Sequence, residues 1–455
     1  MGVIGHATVG LGEILVLDFV ETPSNGRFIG AAAIDWARHV RPGDLVVCGQ
    51  ADAAPHSLLR ALMAQRHALQ RTRLFLGINE GLEDILKPEY ADAIDFLAYC
   101  GTGSNRALSE AGVLDVIAQD YSTLPHLLNG GTLAADVVLL RVAPADAHGR
   151  HSLGMAREYL VPALQSARTV LAEVDPAVPW TFGGPYLSAS DIDVLVASDA
   201  PWQGRDAAPP GPEAEMIGHH VAALVEDGAT LQTGIGAIPD AVLAALENHR
   251  DLGMHSGSLG EGLLGLVESG ALTNRLKGVD VGLTIAGILL GGPRLRRFAH
   301  KNPSLELRST TYTHDHQVLA GLNRFTAVNS AIEVDVTGQV NSEVARGRYL
   351  GALGGVQDFV RGALASRGGV PIVALPAMAG AHSRIVVALS GPVTVPRNCA
   401  GVFVTEYGAA DLRGLTLSQR IDKMIGIAHP AQRDLLAEQV ARQPPLGWKA
   451  RTRAG

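Results

Sequence analysis

Cysteine is scarce in this chain: Cys48, Cys100 and Cys399 are the only three among 455 residues, and no two of them form a CxxC pair. That leaves no disulfide framework, argues against a thiolate zinc site and fits a reducing compartment. Basic residues are not in excess either, with 37 Lys and Arg against 45 Asp and Glu and a net charge of −8, so no global positive field recommends nucleic acid. The one basic run, Arg294 to Lys301 (RLRRFAHK), is expected to be a solvated helix face. The sixteen histidines include no HExxH, and there is no Walker loop, no GxGxxG fingerprint and no serine nucleophile elbow. Long apolar runs are missing as well: the longest, Val281 to Gly292, is too short and too glycine-rich to span a bilayer. No Lys or Arg precedes Arg27, so a secretory signal would lack its charged start. These absences point to a cytoplasmic protein that works without metal, membrane or nucleic acid.

What is present is a 47% apolar, 18% charged chain, the balance of an α/β globular protein long enough for two or more domains. Its densest stretch is Thr230 to Gly270. A short apolar strand, Leu231 to Thr233, runs into Gly234 and Gly236, and Pro239 then opens a helix over Asp240 to Glu247. Free N–H groups at such a helix start suit an anion or an oxyanion. A second strand, Leu252 to His255, delivers HSGSLGEG to the same edge if the two strands are parallel. Two glycine turns at one edge make a candidate site, although turns of this kind also serve packing alone.

The chain repeats itself. VRPGDLVVCGQADAAPHSLLRAL set beside VEDGATLQTGIGAIPDAVLAAL aligns Gly43 with Gly228, Gly49 with Gly234, Pro55 with Pro239 and Leu62 with Leu246. Val138 to Gly149 resembles Ala327 to Gly338, each an apolar strand closed by Asp-x-x-Gly. Leu153-Gly154, Ala163-Leu164, Ser166 and Val170 match Leu353-Gly354, Ala363-Leu364, Ser366 and Val370 without a gap. Three echoes in one order imply a duplicated α/β unit, with mostly parallel sheets because strands alternate with helices. The Pro/Gly-rich linker Ala200 to Glu213 divides an N-terminal unit, residues 1–205, from a C-terminal unit, residues 213–455. The residues before Ile29 hold one strand candidate, Ile14 to Val20, and the tail from Pro444 shows no periodicity. Ligand is expected in the crevice between the units.

Several polar groups of the C-terminal unit stand where strands meet turns. GALGGVQDF presents Gly354 and Gly355 at the start of a helix over Gln357 to Ser366. VFVTEYG ends a strand on Glu406, a candidate general base if burial raises its pKa, or else a partner of Arg384 or Arg413. NSAIEVD places Asn329 and Glu333 on a strand, where a hydrogen-bonded edge is the alternative. His255 and His314 are expected to titrate near neutrality.

TLQTGIGAIPDAV, MHSG followed by EG, VNSAIEVDVTGQV, GALGGVQDFVRGA, SRIV and VTEYGAADLRGLTLSQRIDKMIGIAHP resemble the acetyl-CoA hydrolase and 4-hydroxybutyrate CoA-transferase family. VVLLRVAPADAHGRHSLG and DIDVLVASDAP agree with it too, so the resemblance runs from about residue 34 to 440. It implies two related open α/β domains, CoA-transferase-like units in tandem, with the active site between them. It implies coenzyme A as the substrate thioester, a small carboxylate or water as the second substrate, no metal, and a homo-oligomer. In that family a glutamate after His-Ser or His-Thr attacks the acyl-CoA thioester and becomes a glutamyl-CoA intermediate. By resemblance Gly234, Ile235, Gly236, Ala237 and Ile238 contact CoA, Ile332, Gly354 and Gly355 lie at the CoA or oxyanion site, and Glu406 sits near the reacting carbonyl.

The chain departs from that pattern at one decisive place: His255-Ser256-Gly257 stands where the resemblance calls for His-Ser-Glu, so the nucleophilic carboxylate is missing at Gly257. Glu261 is not that residue displaced, because it aligns with a separate acidic position. His314, in YTHDH, replaces an expected Asn, and Val370 an expected Lys. Three readings follow. Water replaces the glutamate and the protein hydrolyses or hydrates an acyl-CoA, with Glu406, His255 or His314 as base; a relocated nucleophile such as Glu261 or Glu406 sustains CoA transfer; or the chain binds acyl-CoA without turning it over.

Overall fold

In the computed structural model, which describes residues 28–199 and 209–442, apolar runs without polar alternation become strands covered on both faces. Leu45–Cys48 (β1), Val137–Val142 (β5) and Thr169–Val174 (β6) are buried at every position, as parallel strands between helical layers require. The expected strand Ile14 to Val20, most of the Ala200 to Glu213 linker and the tail from Pro444 lie outside the described residues.

With Thr72–Leu76 (β2), Ile94–Ala98 (β3), Leu114–Val116 (β4) and Val194–Ala197 (β7), these strands form a seven-stranded sheet of order β4-β3-β2-β1-β5-β6-β7, parallel throughout. A second sheet joins Thr230–Thr233 (β8), Gly253–Met254 (β9), Thr326–Asn329 (β10), Val370–Ala374 (β11), Val402–Thr405 (β12) and Gly408–Asp411 (β13) in the order β13-β12-β11-β10-β8-β9. Only its edge pair, β12 with β13, is antiparallel. Read from one end, β2-β1-β5-β6-β7 of the first sheet matches β9-β8-β10-β11-β12 of the second. The three internal echoes fall on β1 and β8, on β5 and β10, and on the approach to β6 and β11. The sequence similarity therefore follows the topology strand by strand.

Helix His56–Ala64 (α1) follows β1 as Ala237–Ala245 (α2) follows β8. The second begins two residues before Pro239, at Ala237. Gly236 makes the turn with φ 110°, and Pro239 falls within the first turn, where its missing N–H costs nothing. Val356–Ala365 (α3) starts at Gly355, as the GALGGVQDF pattern implies. Ahead of β1, Trp36–His39 forms a single helical turn. RLRRFAHK corrects the expectation of a solvated face: Pro293–Ala299 is a helix with Arg294 and Arg297 exposed, but Arg296 faces inward at 3.8 Å from Asp52 and 3.2 Å from the Ala177 carbonyl. Residues two apart on a helix point to different sides, so a charge run there is not one surface.

One apolar cluster runs from β1, β5 and β6 through Tyr159, Ile288 and Leu289 into β8 and β10, so the halves share a core. Main-chain bonds stitch the seam. Arg157 N–H donates to Gly287 O (3.0 Å), Leu289 N–H to Met155 O (2.8 Å), Gly101 N–H to Gly351 O and Tyr121 N–H to Gly354 O (both 2.9 Å). Among the described residues no helix is long and apolar enough to cross a membrane.

Candidate active site

β8 and β9 are parallel, with Thr230 beside Gly253 and Leu231 beside Met254, so the turns after them emerge at one edge. There the Gly234 turn and the Gly257 turn share the wall of a cavity of about 180 Å³. Gly354, Gly355 and Phe359 at the start of α3 form a second side, and Gln50, Ala51, Ile78, Tyr99 and Tyr121 from the first half close it. The echo that aligns Gly49 with Gly234 also aligns Gln50 with Ile235, and both line this space. A wider cavity of about 570 Å³ adjoins it, sharing Ala51, Ile78, Ile235 and Leu290, and reaches Gly236, Ala237, Asp240 and Glu261.

Gly257 and His314 are shaped to each other. A Cβ built on Gly257 would lie 3.0 Å from His314 Cε1 and 3.2 Å from Nε2; one on Gly355 would lie 2.5 Å from the same Nε2. The imidazole thus rests over two glycines, filling the space into which a side chain at 257 would extend. Residues 257 and 314, the two positions expected to differ from the family pattern, form one packing arrangement. His314 also belongs to a row of rings crossing the seam: Tyr99 to Tyr121 at 5.0 Å, Tyr121 to His314 at 5.1 Å and His314 to Phe359 at 4.5 Å between centroids.

The expectation that the histidines titrate near neutrality is overturned. Burial pushes both down to about 3, helped by Lys277 at His255 and by His255 at His314, so both are neutral near pH 7. His255 lies wholly inside the protein with Nε2 3.1 Å from the Thr313 carbonyl, which fixes its hydrogen there; it does not reach the cavity wall. His314 Nδ1 is 2.9 Å from Thr313 Oγ1, which leaves Nε2 facing the glycines.

Of the other expected residues, Gly234 and Ile235 line the smaller cavity, Gly236 and Ala237 the wider one, and Gly354 and Gly355 the smaller one. Ile238 and Ile332 are on neither wall. Glu406 stands apart, accepting a hydrogen bond from Ala377 N–H at 2.8 Å. Asn329 and Glu333 divide: Asn329 lines the cavity and donates to Gln232 Oε1 (3.1 Å), whereas Glu333 is held by Asn341, Ser390 N–H and Ser390 Oγ. Glu261 reaches the wider cavity, where it accepts from Gly292 N–H at 2.7 Å. Among the described residues, no Asp or Glu lines the smaller cavity, and no cluster of three or more His, Cys, Asp or Glu could hold a metal.

A family model described as the acetyl-CoA hydrolase/transferase C-terminal domain matches residues 291–440. Over 345 residues the chain is 37% identical to the 4-hydroxybutyrate coenzyme A transferase of Clostridium kluyveri, covering 75% of this chain and 80% of that protein. The chain belongs to the acetyl-CoA hydrolase and CoA-transferase family. It is also 32% identical over 418 residues to the succinyl-CoA:cyclohexane-1-carboxylate CoA transferase of Geobacter metallireducens, covering 90% of this chain and 94% of that one. The crystal structure of RipA from Yersinia pestis superposes with a TM-score of 0.84 at 32% identity, covering 89% of this chain and 95% of that one. This is a family of enzymes acting on acyl-CoA, and its α/β fold is the one described above.

Sequence reasoning missed the share of this family member's cavity that the first half supplies. Gln50 Nε2 donates to Tyr121 Oη (2.9 Å) and Glu158 Oε1 (2.5 Å), while Gln50 Oε1 accepts from Ile78 N–H and Tyr99 Oη (both 2.8 Å). Glu158 is 1% exposed, and burial raises its carboxyl to about 8. Its Oε2 has no partner. Gln50 could have been found by carrying the Gly234 turn back onto its echo at Gly49. Glu158 could not, since ten successive residues, His151 to Leu160, are all buried with no periodicity to say so.

Proposed function

We propose that this enzyme hydrolyses an acyl-CoA thioester, with water in the place of a side-chain nucleophile. The observation that carries this reading is the contact between Gly257 and His314: residue 257 brings no carboxylate to the cavity, and the imidazole crowds the first atom of any side chain there, at 3.0 Å from a Cβ. The thioester carbonyl would sit next to Gly234, toward the polar ends of Gln232 and Asn329 and the main-chain N–H groups at the start of α3, which line the same cavity. Preorganised donors of that kind contribute roughly 3 kcal/mol each to stabilising an oxyanion. Neutral His314, through Nε2, holds the water. The water oxygen bonds the carbonyl carbon, and the C–S bond breaks with its electron pair on sulfur. One water proton ends on that sulfur to give the CoA thiol; the other stays on the carboxylic acid, which ionises in solvent. In this reading Glu406 braces the Ala377 turn and His255 the Thr313 carbonyl.

The wider cavity carries Asp52, Glu80, Asp240 and Glu261. That acidic lining disfavours phosphate and suits the pantetheine arm, whose amide N–H and hydroxyl groups donate hydrogen bonds. We assign residues 1–205 and 213–455 to the two units whose turns build the site. Glu261, inside the wider cavity, favours a second reading in which it serves as a relocated nucleophile for CoA transfer to a carboxylate.

Incubation with acyl-CoA followed by borohydride separates the two. Hydrolysis predicts release of free CoA without added carboxylate and full activity after borohydride. A reduced glutamyl adduct with loss of activity would establish transfer and reject the water mechanism.

A further inference from the structure

Resting on the acyl-CoA reading, we propose that the smaller cavity selects a neutral, apolar acyl group about the size of a six-carbon ring. Its volume of about 180 Å³ is of the order of the ~150 Å³ that accommodates benzene in an engineered protein cavity, with the thioester carbonyl taking the Gly234 end. An acetyl group would leave most of it empty, and unfilled apolar space forfeits contacts on every wall.

The walls define the chemistry. Tyr99, Tyr121, His314 and Phe359 form the continuous row of rings, and neutral His314 belongs to it as an uncharged ring. Ile78, Ile288, Leu290 and Val356 complete the apolar lining. Gln50, which bonds to the hydroxyls of Tyr99 and Tyr121 on the same first-half wall, is saturated: both amide hydrogens and both carbonyl lone pairs are used within the protein. It offers nothing to an acyl hydroxyl. Among the described residues no Lys or Arg lines the cavity, so an acyl carboxylate would be buried without a counter-charge. Gln232 and Asn329, on the other wall, stand at the ends of β8 and β10 next to Gly234, where the thioester carbonyl is assigned.

The test is calorimetric binding of uncleavable CoA thioethers to the full chain: S-ethyl, S-butyl, S-hexyl, S-cyclohexylmethyl, S-dodecyl and S-carboxypentyl, with free CoA beside them. Affinity is expected to rise about fourfold per methylene from ethyl to hexyl. Cyclohexylmethyl should bind roughly 10²-fold tighter than ethyl, and dodecyl and carboxypentyl more weakly than hexyl. Ala352 also lines this cavity, and Ala352→Leu, which narrows it, should weaken hexyl about tenfold and leave ethyl unchanged. Flat affinity across the alkyl series beside tight CoA binding, carboxypentyl outranking hexyl, or hexyl and ethyl weakening together in Ala352→Leu would each overturn this proposal alone. Failure of every probe, free CoA included, would overturn the acyl-CoA reading with it.

Discussion

Glu158 shows how a single side chain couples the cavity wall to pH. Burial lifts its carboxyl from 4.5 to about 8, so the folded chain keeps a proton that the unfolded chain releases between those values. Stability therefore falls as pH rises through that window, because the unfolded state binds fewer protons. Above it the folded protein holds a buried carboxylate whose Oε2 has no partner. Glu158→Gln keeps an acceptor toward Gln50 and removes the charge. Relative to wild type, its melting temperature is expected to gain on the order of 5 °C between about pH 4.5 and about pH 8.5. Scanning calorimetry at the two pH values checks this; an offset that is the same at both would mean that the Glu158 proton is not the cause.

At the scale of elements, the turn after β9 and the segment bearing His314 act as a lock and its filling. The φ of Gly257 is not in the left-handed region, so what stands against a side chain there is the ring of His314, at 3.0 Å from a Cβ, with Phe359 Cζ beside it at 3.3 Å. Gly257→Glu alone is expected to misfit and to bring no CoA transfer. Gly257→Glu combined with His314→Asn clears the ring and should give measurable transfer to a small carboxylate, with a borohydride-trappable adduct. The rate should remain roughly 10²-fold below that of a well-placed nucleophile, since a misplacement of about 1 Å costs that much. Transfer by the single variant equal to that of the double variant would refute the packing argument.

For the whole molecule, the seam matters more than either half. Tyr121 N–H on Gly354 O, Gly101 N–H on Gly351 O and the Ser122 main-chain and hydroxyl donors on Asp358 tie the first-half wall to α3. Burial holds the Asp358 carboxyl up at about 6, despite those donors. Binding of S-hexyl-CoA should slow amide exchange in both walls together, over residues 99–122 and 351–359, even though more than two hundred residues of chain separate them. Protection confined to one wall in exchange mass spectrometry would place the ligand outside the seam.

The strands at the internal echoes and the mostly parallel character of both sheets were legible because continuous apolar runs ending in glycine turns admit few other folds, whereas β2, β3, β4 and β7 lie outside the echoes and were not legible as strands. The internal echoes also named the strands that correspond, since β1 and β8, β5 and β10, and β6 and β11 occupy equivalent places. The glycine turns at 234 and 355, which line the smaller cavity, were legible as turns for the same reason: backbone at a strand end or helix start needs no distant partner to be recognised. The contact between His314 and Gly257, the saturation of Gln50 and the burial of Glu158 were decided only by tertiary structure. Each depends on residues dozens to hundreds apart meeting across the seam, and pKa values there follow desolvation, which no local pattern encodes. The sequence alone determined which backbone turns line the cavity; the packing of the two halves determined which side chains, and in what charge state, stand there with them.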